Sequence, residues 1–129
     1  MGFFGKLEER VRQTGPLLCV GLDPHLPDLP HPDARSARDF CLRLVDATAD
    51  QAAAFKPNAG FFEVFGPEGF EVLMDIVKGI PEEIPVILDA KRGDIASTAQ
   101  AYAQAAFHTI KADAITLSPY LGLDSIQPF

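Results

Sequence analysis

Apolar residues fall into four short runs along this chain, each closing on polar residues and each followed by a helical pattern. Leu17-Leu18-Cys19-Val20-Gly21-Leu22 leads to Asp23, and a proline-rich loop then runs from Pro24 to about Pro32. Phe40, Leu42, Leu44, Val45 and Ala49 supply the apolar face of a helix expected from about Ala34 to Ala52. A second strand is expected over Ala53-Ala54-Phe55-Lys56-Pro57-Asn58. A helix from Glu68 to Lys78 follows, opened by Gly66-Pro67 with an acid in its first turn. Pro85 to Leu88 reads as a third strand, Ser97 to Lys111 as a third long helix, and Asp113 to Ser118 as a fourth strand. Pro119 to Gly122 forms a loop, and Asp124-Ser125-Ile126 looks like the start of another helix. Before all of these, Lys6 to Arg12 reads as a short amphipathic helix with Phe3, Phe4, Leu7 and Val11 on one face.

Strands recurring about every 30 residues with a helix between them are the rhythm of a parallel α/β sheet. Strands that are apolar throughout fit a sheet covered by helices. An open flavodoxin-like sheet and a (β/α)8 TIM barrel share this rhythm locally. Two features favour the barrel. Every strand ends in chemically active residues (Asp23; Lys56-Pro57-Asn58; Asp89-Ala90-Lys91; Thr116-Leu117-Ser118), as the active sites of such barrels require. A fifth unit is also expected to begin where the chain stops. A barrel takes about 250 residues, so a chain of 129 residues holds about the first four βα units. Residues 1–129 are therefore expected to be the N-terminal half of a barrel domain, a fragment or a half that assembles with something, because raw parallel edges are sticky.

Composition adds limits. The formal charge of −7 and pI near 4.8 argue against a nucleic-acid partner, yet allow a small phosphorylated ligand, whose site needs only local donors. The two cysteines, Cys19 and Cys41, have no CxxC spacing and read as buried reduced thiols of a cytoplasmic protein. No apolar stretch approaches the roughly 20 residues of a membrane span, and no secretory pattern is visible. His25, His31 and His108 lack a metal-binding spacing, and neither a P-loop nor a G-x-G-x-x-G is present.

The main chemical lead is Asp89-Ala90-Lys91-Arg92-Gly93-Asp94. Residues i and i+2 of a strand share a face, so Asp89 and Lys91 point one way, Ala90 and Arg92 the other, with Gly93 turning the chain before Asp94. A lysine among carboxylates stays protonated and suits proton donation better than Schiff-base chemistry. Lys56 either snorkels to the surface or completes an alternating Lys–Asp–Lys–Asp chain. Asp23 is either a turn cap or an acceptor for ligand hydroxyls. Ser97 and Thr98 read as helix caps or as site residues. Phe61 and Phe62 read as core or subunit contacts.

These residues resemble the orotidine 5′-phosphate decarboxylase family, in its bacterial subgroup with the longer chain. The likeness rests on Val20-Gly21-Leu22-Asp23-Pro24, on Phe55-Lys56-Pro57-Asn58-Ala59-Gly60-Phe61-Phe62-Glu63, on Asp89 through Thr98, and on Ser118-Pro119-Tyr120-Leu121-Gly122, in the family's order. It implies decarboxylation of orotidine 5′-monophosphate to uridine 5′-monophosphate in pyrimidine biosynthesis, without cofactor or metal. It assigns Lys91 as the proton donor to C6 and Asp89 as the carboxylate beside the substrate's own carboxyl. Lys56 bridges ribose and charge array, Asp23 binds ribose hydroxyls, and Asn58 joins the substrate-binding set. Asp94 and Thr98 are implied to reach across a homodimer interface into the partner's site.

The phosphate-gripping loops of such barrels follow strands 7 and 8, so this chain alone is not expected to turn over substrate efficiently. The alternatives are a Mg²⁺-dependent enzyme like 3-keto-L-gulonate 6-phosphate decarboxylase, a non-catalytic flavodoxin-like binding module, or an inactive fragment kept as an assembly partner.

Overall fold

A computed structural model describes residues 2–129. Its elements are α1 (Phe3–Thr14), β1 (Leu18–Leu22), α2 (Ala34–Thr48), β2 (Ala52–Pro57), α3 (Gly60–Glu63), α4 (Pro67–Gly79), β3 (Ile87–Arg92), α5 (Ala96–Gln104) and β4 (Ala114–Leu117). Single 3₁₀ turns at Leu26–Asp28, Pro119–Leu121 and Leu123–Ser125 stand in the loops after β1 and β4.

All strand pairings are parallel. β1 lies on β2 with Val20 opposite Phe55 and Gly21 opposite Lys56. β2 meets the β3 segment through bridges at Phe55–Val86 and Asn58–Asp89. β3 in turn pairs with β4, with Leu88 opposite Ile115. The spatial order is therefore β1-β2-β3-β4. A flavodoxin-like sheet would set β1 between β2 and β3, so that alternative fails on strand order. A consecutive parallel run is what a TIM barrel requires, and β1 and β4 each leave one edge unpaired among the described residues.

The core lies between the sheet and helices α2 and α4. Leu22, Cys41, Val45, Phe55, Phe62, Leu73, Ile76 and Ile84 are each at most 2% exposed. Asp33 caps α2, its carboxylate accepting the Ser36 N–H at 2.7 Å. The helix stops at Thr48, short of the expected Ala52, because Ala52 pairs with Leu18 at the start of β2. Sheet pairing overrides the helix preference of the alanines here.

Other expectations need correction. β3 runs from Ile87 through Arg92, past the expected end at Leu88, so the whole Asp89–Lys91 cluster belongs to the strand. The helix expected from Ser97 to Lys111 is α5 followed by a π turn at Ala105–Thr109. In α1, Phe4 is 76% exposed and the buried residue is Arg10. Arg10 donates to the carbonyls of Ala49 and Ala52, and Lys6 pairs with Asp113 at 2.9 Å, so polar contacts seat this helix together with the half-buried Phe3, Leu7 and Val11. Cys19 is exposed on the edge strand β1, and only Cys41 is buried. Among the described residues no helix is long and apolar enough to cross a membrane.

Two glycines matter for close approach. A Cβ on Gly69 would stand 1.8 Å from the Phe62 carbonyl oxygen, where α4 crosses α3. Gly93 does not supply a left-handed turn. A Cβ there would lie 2.3 Å from the Ser118 carbonyl oxygen, so the glycine allows the ends of β3 and β4 to touch. Gly69→Ala should lower stability by about 1–3 kcal/mol, the usual range for overpacking. Urea denaturation followed by circular dichroism checks this, and an unchanged midpoint would contradict the packing described.

Candidate active site

The strands deliver their last residues to one mouth. Lys56 reaches it from β2, Asp89 and Lys91 from β3, and Thr116 from β4; Asp23 follows β1 directly. In β2, Phe55 enters the core with 0% exposure, and the pleat turns its neighbour Lys56 to the opposite face.

Asp89 is the centre of the arrangement. Its carboxylate accepts from Lys91 Nζ at 2.6 Å, from the Thr116 hydroxyl at 2.8 Å and from Lys56 Nζ at 3.3 Å. Only 8% of the residue is exposed, whereas the Lys91 side chain is 64% exposed. One acid is thus sunk into the wall while an ammonium leans over the opening. The hydrogen bond from Lys91 holds the Asp89 carboxyl down at about 2, helped by Thr116 and Lys56 and opposed by burial.

The other expected residues take distinct places. Asp23 has one carboxylate oxygen, Oδ1, buried with no hydrogen-bond partner among the described residues. Burial, and then the charge of Asp23, pushes the Cys41 thiol up to about 12, which keeps it an unreactive thiol. Asn58 is committed locally on one side, its Oδ1 accepting the Gly60 N–H at 3.0 Å. Arg92 faces away from the mouth, pairing with Glu63 at 2.6 Å and lying 4.9 Å over the Tyr102 ring. His25 meets Phe61 edge to face at 4.3 Å and so links the loop after β1 to α3, while Phe62 is core.

Asp94 does not join Asp89 and the lysines within one chain. Its Oδ1 accepts the Ile95 N–H at 2.7 Å just ahead of α5. Ser97 and Thr98 lie inside α5 and do not cap it. Thr116 stands among the strand-end residues noted in the sequence, which assigns it no specific role. Its signal is a lone hydroxyl in the otherwise apolar strand Ala114-Ile115-Thr116-Leu117.

A sequence profile described as "Orotidine 5'-phosphate decarboxylase / HUMPS family" matches residues 16–129. The chain belongs to this family. The orotidine 5′-phosphate decarboxylase of Roseiflexus castenholzii is 49% identical over 132 residues, covering all of this chain and 48% of the relative. The solved structure of Leishmania donovani OMP decarboxylase is 53% identical with a TM-score of 0.91, covering all of this chain and 49% of that one. Leishmania donovani UMP synthase is also 53% identical, with a TM-score of 0.92, and is covered over 27% of its chain. The chain thus spans about half the length of the curated relatives it matches, and its four parallel strands, the first three each followed by a helix, have the α/β fold of the family's barrel.

The lowered carboxyl of Asp89 makes stability depend on pH. Its folded value lies below the unfolded one, so its contribution is complete above about pH 4 and is lost as pH falls toward about 2. With Lys91 largely in water, screening trims this contribution to about 1 kcal/mol. Asp89→Asn should remove that acid-side slope in urea midpoints measured between pH 5 and pH 2. An unchanged slope would show that the carboxylate is not held by the two lysines.

Proposed function

We propose that the protein decarboxylates orotidine 5′-monophosphate to uridine 5′-monophosphate and carbon dioxide, with residues 1–129 forming the N-terminal half of a (β/α)8 domain. The observation that carries this reading is the Asp89 carboxylate clamped between the Lys91 and Lys56 ammoniums at the mouth of four parallel strands. The family's printed description and the names of relatives near half identity support it. The two open strand edges are where a second half would pair.

Loss of carbon dioxide leaves a carbanion at C6 of the pyrimidine. A fixed ammonium beside that carbon stabilises the charge as it develops and then delivers a proton. Lys91 takes this role, with its exposed tip free to meet substrate. Asp89 keeps Lys91 charged and aimed. Lys56 ties the array to the ribose, and the unpartnered Oδ1 of Asp23 is an acceptor for a ribose hydroxyl. Asn58 completes the substrate-binding set with its free amide. No cofactor or metal takes part in this scheme. The phosphate is held by residues of the second half, and its binding helps drive the chemistry at the distant ring.

We further propose that the protein works in the cytoplasm as a homodimer in which Asp94 and Thr98 serve the partner's site. The separation of Asp94 from its own chain's lysines supports this sharing.

Activity is measured on the chain alone and on the chain completed with the C-terminal half of a curated relative. The completed protein should decarboxylate orotidine 5′-monophosphate equally well in a chelator. Activity abolished by the chelator would favour the Mg²⁺-dependent alternative. Lys91→Ala should lower turnover at least about 10²- to 10⁴-fold while uridine 5′-monophosphate still binds; normal turnover would remove Lys91 as donor. Shared sites predict that inactive Lys91→Ala and Asp94→Ala proteins regain partial activity when mixed. No recovery on mixing, with both variants dimeric, would place Asp94 in its own chain's site.

A further inference from the structure

β3 and β4 run in register up to Leu88 opposite Ile115, and register resumes with Arg92 opposite Leu117. Between those pairs β3 spends three residues, Asp89, Ala90 and Lys91, against the single residue Thr116. A bulge of this kind leaves backbone groups without their ladder partners. Lys91, at its crest, has a φ of 49°, a left-handed conformation that a lysine rarely adopts.

The Thr116 side chain answers the bulge. Its hydroxyl oxygen accepts the N–H of Ala90 and the N–H of Lys91, both at 3.1 Å. The same hydroxyl donates to Asp89 Oδ1 at 2.8 Å. A hydroxyl has one proton and two lone pairs, so all of its hydrogen-bonding capacity is used. Each of the three residues in the bulge receives one of these bonds. Three contacts from one oxygen fix the left-handed turn at Lys91 and the rotamer of Asp89 together.

We infer that Thr116 is a positioning residue, whose hydroxyl replaces the missing rungs of the β3–β4 ladder and so sets where the Lys91 ammonium stands relative to Asp89. This deepens the proposed decarboxylase reading: Thr116 need not touch substrate, and it acts through the two residues that do. Valine has nearly the same shape but would leave both amides unpaired inside the bulge, whereas serine keeps the hydroxyl.

Amide hydrogen exchange and a carbon-13 titration of the Asp89 carboxyl test this on the purified chain, independently of turnover. The Ala90 and Lys91 amides should exchange slowly in the unaltered protein; fast exchange of both would overturn the inference. Thr116→Val should speed their exchange and move the Asp89 titration toward the ordinary carboxylate range, with Thr116→Ala giving the same readout should the valine variant unfold. Thr116→Ser should match the unaltered protein in both. In the completed enzyme, Thr116→Val should lower kcat about 10- to 100-fold with KM little changed, and serine should rescue it. A valine variant with unchanged titration and kcat, or a serine variant as impaired as valine, would sink the proposal. If the unaltered completed protein does not act on orotidine 5′-monophosphate, the decarboxylase reading fails, while exchange and titration still decide the role of Thr116.

Discussion

Asp89 carries its negative charge where 8% of its surface meets water, and the neighbouring strands are arranged around that charge. A carboxylate so placed would be costly to bury alone. Two ammoniums and a hydroxyl, from three different strands, make it tolerable. The dependence also runs the other way. Without the carboxylate, Lys56 and Lys91 would be like charges facing each other across one mouth, and neither would have a reason to stay there. The site is thus a single electrostatic unit. Its geometry is inherited from strand order, since only a consecutive parallel sheet sets the ends of β2, β3 and β4 side by side.

The fold supports that unit from behind and from below. Phe55 and Leu88 anchor β2 and β3 in the core, and each is followed by the residue that turns its charge to the mouth. At the opposite end of the strands, Asp113 accepts the Val86 N–H at 2.8 Å and pairs with Lys6, so that α1, the lead-in to β3 and the start of β4 are joined by one carboxylate. Two acids thus hold the sheet at its two ends. Asp113 joins segments of backbone, and Asp89 holds two lysine ammoniums at the mouth.

Much of this was legible from residues alone. The four strands, the three long helices and the pairing of Asp89 with Lys91 follow from apolar runs, helical periodicity and the two-residue repeat of a strand. Misreadings arose where tertiary contacts overrule local pattern. Charges at Asp89 and Lys91 made β3 look finished at Leu88, whereas the strand carries them to Arg92. α3 has four residues, too few to show a helical period. Arg10 lies off the apolar face of α1 that the periodicity shows, and it is a buried donor to two carbonyls. Gly93 was taken for the turning point, but the left-handed residue is Lys91, and nothing in a lysine announces that. Thr116 was legible as one of the polar strand-end residues but not in its role, because its three partners come together only once the β3–β4 register slips.

The central claim is that an ammonium held over Asp89 at the position of Lys91 performs the proton delivery. Replacing Lys91 by cysteine and aminoethylating the thiol rebuilds a lysine-like ammonium there. The exposed Cys19 is first changed to serine, while Cys41 is buried. The unmodified Lys91→Cys protein, completed to the length of its relatives, should be inactive on orotidine 5′-monophosphate, and aminoethylation should restore decarboxylation. Full modification with nucleotide binding intact and no return of activity would contradict the account.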